Sequence, residues 1–242
     1  MERFEVSDGI YLTNDYALFL DESRTIIIAD LHLGYEGAMQ SEGISFPKYQ
    51  KEVMVNRLEN IVRKFRPERI VVNGDFKHEF SKNLRQEWRE VEEVLNFLLE
   101  RVDVILVRGN HDNFLMTIVS AKGVTFENHI TIDGITLTHG HKEFRKDEDI
   151  LVIGHEHPSL KLRDEIGASI KLPCFLFHET ERIIVLPAFS PLASGTDVTT
   201  TMQKDFLSPM LQNVDVDDLR IFALTEIGLL EFGRLRGIIR AL

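Results

Sequence analysis

The chain has 242 residues, 43% of them hydrophobic and 28% charged, which fits one soluble α/β domain with a sizeable core. Its formal charge of −11 argues against a bare electrostatic grip on long nucleic acid, although bound divalent metals would add local positive charge that this count omits. The lone cysteine, Cys174, excludes an intrachain disulfide and reads as a buried structural thiol; with no leader-like N-terminus and no apolar run near ~18–20 residues, the expectation is a cytoplasmic protein without a membrane partner.

In chain order, Thr25 to Asp30 (TIIIAD) is a short β-branched run, a buried strand ending in an acid. Val53, Met54, Leu58, Ile61, Val62 and Phe65 recur at helical spacing, and Pro67 closes that helix. Arg69 to Asp75 (RIVVNGD) is a second buried strand. Leu84, Trp88, Val91, Leu95 and Leu98 mark a second amphipathic helix, with Asn83 and Gln86 as an N-capping pair. Val102 to Asn110 (VDVILVRGN) is a third strand, and the alternation predicts a parallel core with right-handed crossovers. The second half changes character. His129 to His141 is a hairpin turning at Asp133-Gly134, and Ile150 to His157 is a strand ending in histidine. Ser169–Phe177 and Arg182–Phe189 form an antiparallel pair, and Leu219–Phe232 is a last hairpin. The prediction is a single domain over 1–242 with two packed sheets and helices outside; the long segment 189–209 is a candidate lid or cap.

Ligands gather beyond the carboxyl ends of strands in such sheets. Those ends read, in order, Asp30 and His32; Asp75 and His78; Asn110, His111 and Asp112; His139 and His141; His155 and His157. Seven of the nine histidines fall in these five places, leaving only His129 and His178. Imidazole nitrogen with carboxylate or amide oxygen suits borderline divalent metals, and a carboxylate such as Asp75 can be shared between two metals about 3.5–4 Å apart. On an extended strand end, residues two apart point the same way, so Asp30-x-His32 and His155-x-His157 each offer two groups to one spot. Gly74, Gly109, Gly140 and Gly154 let the backbone turn tightly beside them. No cluster contains cysteine, which argues against an iron–sulfur centre. Each motif alone fits a turn or a surface side chain; the five together point to a dinuclear metal centre.

The order DLH, GD, GNHD, HGH and GHEH resembles the signature of calcineurin-like metallophosphoesterases, and ADLHLGYE and GHEHPSLKL look closer still to archaeal phosphoesterases related to the SbcD nuclease. The resemblance implies a four-layer αββα sandwich with two mixed β-sheets. It implies one metal on Asp30, His32, Asp75 and His157, and a second on Asp75, Asn110, His139 and His155. His111 would be the catalytic histidine and Asp112 would orient it through its other ring nitrogen, with a hydroxide between the metals as nucleophile. His78 would contact the substrate phosphate, as opposed to being a surface histidine. His141 would either support the ligands or face the substrate; Arg108 would either bind phosphate or form a structural ion pair. His129 reads as an ordinary packed or solvated histidine and Trp88 as a core residue. Mn²⁺ is the first metal expected, with Fe, Ni, Co and Zn also accepting these ligands. The implied function is phosphodiester hydrolysis on nucleotide-like or short nucleic-acid substrates. A phosphomonoesterase and a non-catalytic scaffold are the alternatives, and the C-terminal hairpin offers a surface for a homo-oligomer.

Overall fold

The computed structural model describes residues 2–44, 47–80, 85–145, 150–163 and 166–239, with residue 239 described by its backbone alone. Seven strands form a first sheet in chain order: β1 (Arg3–Ser7), β2 (Ile10–Thr13), β3 (Leu18–Leu20), β4 (Thr25–Ile28), β5 (Arg69–Asn73), β6 (Asp103–Val107) and β7 (Thr125–Glu127). β1 to β4 pair antiparallel and β4 to β7 pair parallel. Parallel neighbours need crossovers, supplied by α1 (Tyr35–Ser41) and α2 (Gln50–Phe65), then α3 (Arg85–Leu99), then α4 (Met116–Ala121). The second sheet holds β8 (His129–Ile132), β9 (Ile135–Thr138), β10 (Ile150–Ile153), β11 (Pro158–Arg163), β12 (Ser169–His178), β13 (Ile183–Val185), β14 (Thr196–Asp197), β15 (Arg220–Thr225) and β16 (Gly228–Arg234). α5 (Pro209–Gln212) and α6 (Leu235–Ile239) follow on its outer side.

The strands are apolar on both faces because each sheet is covered on both sides, and alternate residues serve different cores. In β4, Ile26 and Ile28 face Met54, Leu58 and Ile61 of α2, while Ile27 faces the second sheet. In β10, Val152 joins that central layer, while Leu151 and Ile153 face Met210 and Leu211 of α5 and Leu235 of α6. The result is an α/β fold of four layers, αββα, with two mixed sheets, as expected. Cys174 is fully buried in the outer core of the second sheet, and burial pushes its thiol pKa up. No helix among the described residues is long and apolar enough to cross a membrane.

Both helices and the three parallel strands lie where the periodicity predicts them, with α2 ending at Arg66 in a left-handed conformation ahead of Pro67. The β8–β9 hairpin turns on Asp133 and Gly134, both at positive φ. The proposed cap residue Asn83 and the helix residue Leu84 lie outside the described residues. The second sheet is less antiparallel than its hairpins suggest: β10 pairs parallel with both β9 and β13. That pairing aims the ends of β9 and β10 at the same edge. Beyond the strands, Asp30 N donates to Gly74 O, Gly154 N to His139 O and Ser190 N to Asp30 O, which stitches the ends of both sheets together.

Candidate metal centre

The side chains at these ends converge through backbone strain. Asp30, His32, Asp75, His155 and His157 all have positive φ, between 47° and 64°. This corrects the expectation that Asp30 with His32, and His155 with His157, meet because alternate residues of an extended strand point alike: β4 stops at Ile28 and β10 at Ile153. A left-handed turn at a non-glycine residue costs on the order of 1–3 kcal/mol, and such strain concentrates at functional sites. Two glycines make room for it. A Cβ on Gly74, itself at φ 94°, would stand 2.1 Å from His139 Nδ1, and one on Gly109 would stand 2.1 Å from Asp75 Oδ1.

The donors form two linked groups. Asp30, His32 and His157 bring one ligand atom each within 4.8 Å of one another, and so do Asp75, His139 and His155. His32 Nε2 lies 3.2 Å from His157 Nε2, and His157 Nε2 lies 3.2 Å from Asp30 Oδ1. On the other side His139 Nε2 is 3.1 Å from Asn110 Oδ1 and 3.3 Å from Asp75 Oδ2. Asp75 Oδ2 joins the groups, because it also faces His32 Nε2 at 3.8 Å and His111 Nε2 at 3.9 Å. His32, His78 and His111 make a third close set, with the rings of His78 and His111 stacked at 5.5 Å.

Electrostatics leaves this donor set short of positive charge. Burial, the largest cause, pushes His32 down to about 3 and His155 down to about 4, so both are neutral lone-pair donors near pH 7. Burial also lowers His78 and His141 to about 4. His139 goes the other way: burial opposes its charge, but the Asp75 carboxylate outweighs burial and raises it to about 9. Burial alone would raise Asp30 and Asp75, yet the surrounding imidazoles hold both below the usual carboxylate range. Asp30 Oδ1 is buried and accepts no hydrogen bond. A buried carboxylate oxygen without a hydrogen bond, in a cluster that also holds the neutral His32 and His155, is what a divalent cation would satisfy, so the donor set fits a metal of borderline softness.

Several supports carry no signal in the motifs. The Asn73 carbonyl accepts from His139 Nδ1 at 3.1 Å, which turns Nε2 inward, and Asn73 Nδ2 donates to Thr138 O and Val152 O. Gln50, wholly buried, donates to the carbonyls of Leu31 and His32 and to Ser190 Oγ. Glu36 caps α2 from a distance by accepting the amides of Tyr49 and Gln50. Glu87 accepts the amides of His78 and Glu79 and faces the buried Lys77 ammonium at 3.6 Å.

The expected Asp112–His111 contact is not formed. Asp112 Oδ1 accepts the amides of Phe76 and Lys77, and Oδ2 those of Asp75 and Gly109. Burial and the nearby Asp75 raise its pKa to about 6, and the amide donors pull the other way, so it stays a carboxylate near neutral pH. His111 Nδ1 instead donates to the His78 carbonyl. Of the remaining residues, His141 lies 5.3 Å from His139 with its ring tilted to it and has a buried, unpartnered Nδ1, while Arg108 is exposed and makes no ion pair among the described residues. His129 is exposed beside Phe144, and Trp88 packs partly exposed against the first core.

The chain matches the calcineurin-like phosphoesterase family over residues 23–173. Among solved structures it is similar to the nuclease MPE of Pseudomonas putida, with a TM-score of 0.70 and 21% identity over 95% of this chain and 98% of that one. At that identity the likeness shows a shared fold. The phosphoesterase Yfce of E. coli aligns over 87% of this chain and 98% of its own at 17% identity, with a TM-score of 0.42. No curated protein shows significant similarity to the chain. The family match spans more than half of the chain and includes every strand end described above, so the protein belongs to the calcineurin-like phosphoesterase family, a family of hydrolases that use divalent metals.

Proposed function

We propose that the protein is a dinuclear metal-dependent phosphodiesterase acting on nucleotide-like or short nucleic-acid substrates. The observation that carries this reading is Asp75 Oδ2, which faces His32, His139 and His111 at once. Asp30, His32, Asp75 and His157 would hold one metal, and Asp75, Asn110, His139 and His155 the other. Bound there, two cations would neutralise charge on the phosphate and make water a competent nucleophile near neutral pH.

The residues around them do the rest. With Nδ1 donating to the His78 carbonyl, His111 leaves Nε2 to face the substrate and carry the proton for the departing oxygen. Asp112 acts on this indirectly, by fixing the loops that carry Asp75 and Gly109. His78 lies beside His111 as a neutral imidazole, and His141 and Arg108 border the second metal group. A neutral imidazole favours the diester: a diester carries one negative charge at phosphorus, whereas a monoester carries about 1.5–2 near pH 7 and would call for a fixed cation.

The test uses metal-stripped protein reloaded with Mn²⁺. We expect about two metals per chain and faster hydrolysis of bis-p-nitrophenyl phosphate than of p-nitrophenyl phosphate. A faster monoester would make the protein a phosphatase and remove the role given to His78. No turnover of either with both metals bound would favour a scaffold.

A further inference from the structure

A cavity of about 230 Å³ opens beside His157, walled by Tyr16, Arg57, Lys171, Ser190 and Ser194. Three features of it are unusual in a chain of net charge −11. The Arg57 guanidinium is partly buried and has no carboxylate partner among the described residues; its Nη1 donates to the Phe189 carbonyl at 2.7 Å and its Cζ lies 3.9 Å from the centroid of the Tyr16 ring. Lys171 reaches the rim, where Nζ donates to Gly195 O at 2.6 Å and meets no acid among the described residues. Ser190 Oγ accepts from Gln50 Nε2 and from the Leu192 amide, so its own proton remains free to donate. A guanidinium held by a ring and one carbonyl retains donors in a fixed fork, the geometry that suits a phosphate.

We infer that this cavity is a subsite for a second phosphate, the one next to the scissile phosphate in an oligonucleotide, with Arg57 and Lys171 as its anchors and the Ser190 hydroxyl as a further donor. The inference rests on the phosphodiesterase reading and adds the substrate class. Size supports it. A pocket that envelops a whole small molecule is roughly 300–1,000 Å³, so this one takes a phosphate and its nearest sugar atoms while the rest of the strand lies outside. Position supports it too, because His157 belongs both to the cavity wall and to the metal-type donor group. The wall that carries Ser190 and Ser194 opens the segment 189–209, which gives that segment a binding role at the substrate entrance.

The experiment compares the Mn²⁺-loaded protein on the dinucleotide TpT, on pTpT and on TpTp, with bis-p-nitrophenyl phosphate as the diester without a second anion. One terminal phosphate should raise kcat/KM over TpT by about tenfold or more, the scale of a charge-assisted contact. In Arg57→Met, and to a smaller degree in the exposed Lys171→Met, the ratio of phosphorylated to unphosphorylated substrate should fall toward one. That ratio is internal to each variant, so a loss of folded protein does not imitate it. Hydrolysis of bis-p-nitrophenyl phosphate with no advantage for either terminal phosphate would overturn the subsite and leave the diesterase reading intact. Failure on every diester would remove the diesterase reading itself. An advantage that survives both substitutions would place the second phosphate elsewhere.

Discussion

On the first sheet's side of the centre, the loops after β4 and β5 bond to each other through Asp30 N to Gly74 O, His32 N to Asp75 O and Leu33 N to Phe76 O, and buried side chains take the amides that this pairing leaves over. Asp112 accepts four backbone amides, Glu87 two and Glu36 two, while Gln50 donates to two carbonyls. On the second sheet's side, where β10, like β4 to β6, is paired on both edges, the turn that carries His155 and His157 has fewer such props among the described residues. The His155 amide donates to Asp30 Oδ2, and the buried Glu156 carboxylate accepts the Ser208 amide. Buried amides must be satisfied somewhere. Where a sheet edge does not do it, the sequence places an acid there, and that acid cannot be read from its neighbours' periodicity.

The largest effect should follow from breaking the first of these arrangements. Asp112→Asn keeps the shape but replaces one acceptor oxygen by an NH₂ that faces N–H groups, leaving two buried amides without a partner. Each costs about 1–3 kcal/mol, so we expect a loss of about 3 kcal/mol or more, read from urea unfolding of metal-free protein. A loss under about 1 kcal/mol would mean that the loops do not depend on Asp112. A smaller effect is expected from Glu87→Gln. It keeps an acceptor for the amides of His78 and Glu79 but removes the charge opposite Lys77, and so loosens the strap whose carbonyl takes His111 Nδ1. Turnover should drop about tenfold, the lower end for residues that orient a catalytic group, with metal content unchanged. If metal were lost in parallel, Glu87 would be supporting the ligands and not His111.

This contrast also explains what could be read in advance. Asp30, His32, Asp75, Asn110, His111, His139, His155 and His157 stood out because each follows a continuous apolar run, and such a run in a parallel sheet has little choice but to be a strand. The three strands before β4 were not foreseen. Asn73, Glu36, Gln50 and Glu87 were invisible for another reason. Glu36, Gln50 and Glu87 sit in helices α1, α2 and α3 at positions that look like solvated polar faces, and only the tertiary path of the loops turns them inward. Arg57 is a similar case, an arginine on α2 that meets Tyr16 and Phe189 only after β3, α2 and the segment after β13 have packed. The spacing of Asp30 and His32 pointed to the right partners for the wrong reason, since positive φ and not the strand pleat brings them together.

The smallest effect should come from Glu156, the second sheet's counterpart of Asp112. Its Oε2 accepts the Ser208 amide at 3.0 Å, while Oε1 is buried and accepts no hydrogen bond. Burial raises its pKa, so the charged form is the disfavoured one in the fold. A carboxyl raised in this way favours the folded state at low pH and disfavours it once pH rises past its unfolded value. Glu156→Gln removes that buried charge and keeps one oxygen for the Ser208 amide, and its NH₂ takes the place of an oxygen that has no donor to lose. We therefore expect a stability within about 0.5 kcal/mol of the parent near pH 7, with unfolding midpoints that vary less between pH 4 and pH 7. A cost as large as that of Asp112→Asn would show that the second-sheet turn leans on its acid as heavily as the first-sheet loops do, and the difference between the two sides would disappear.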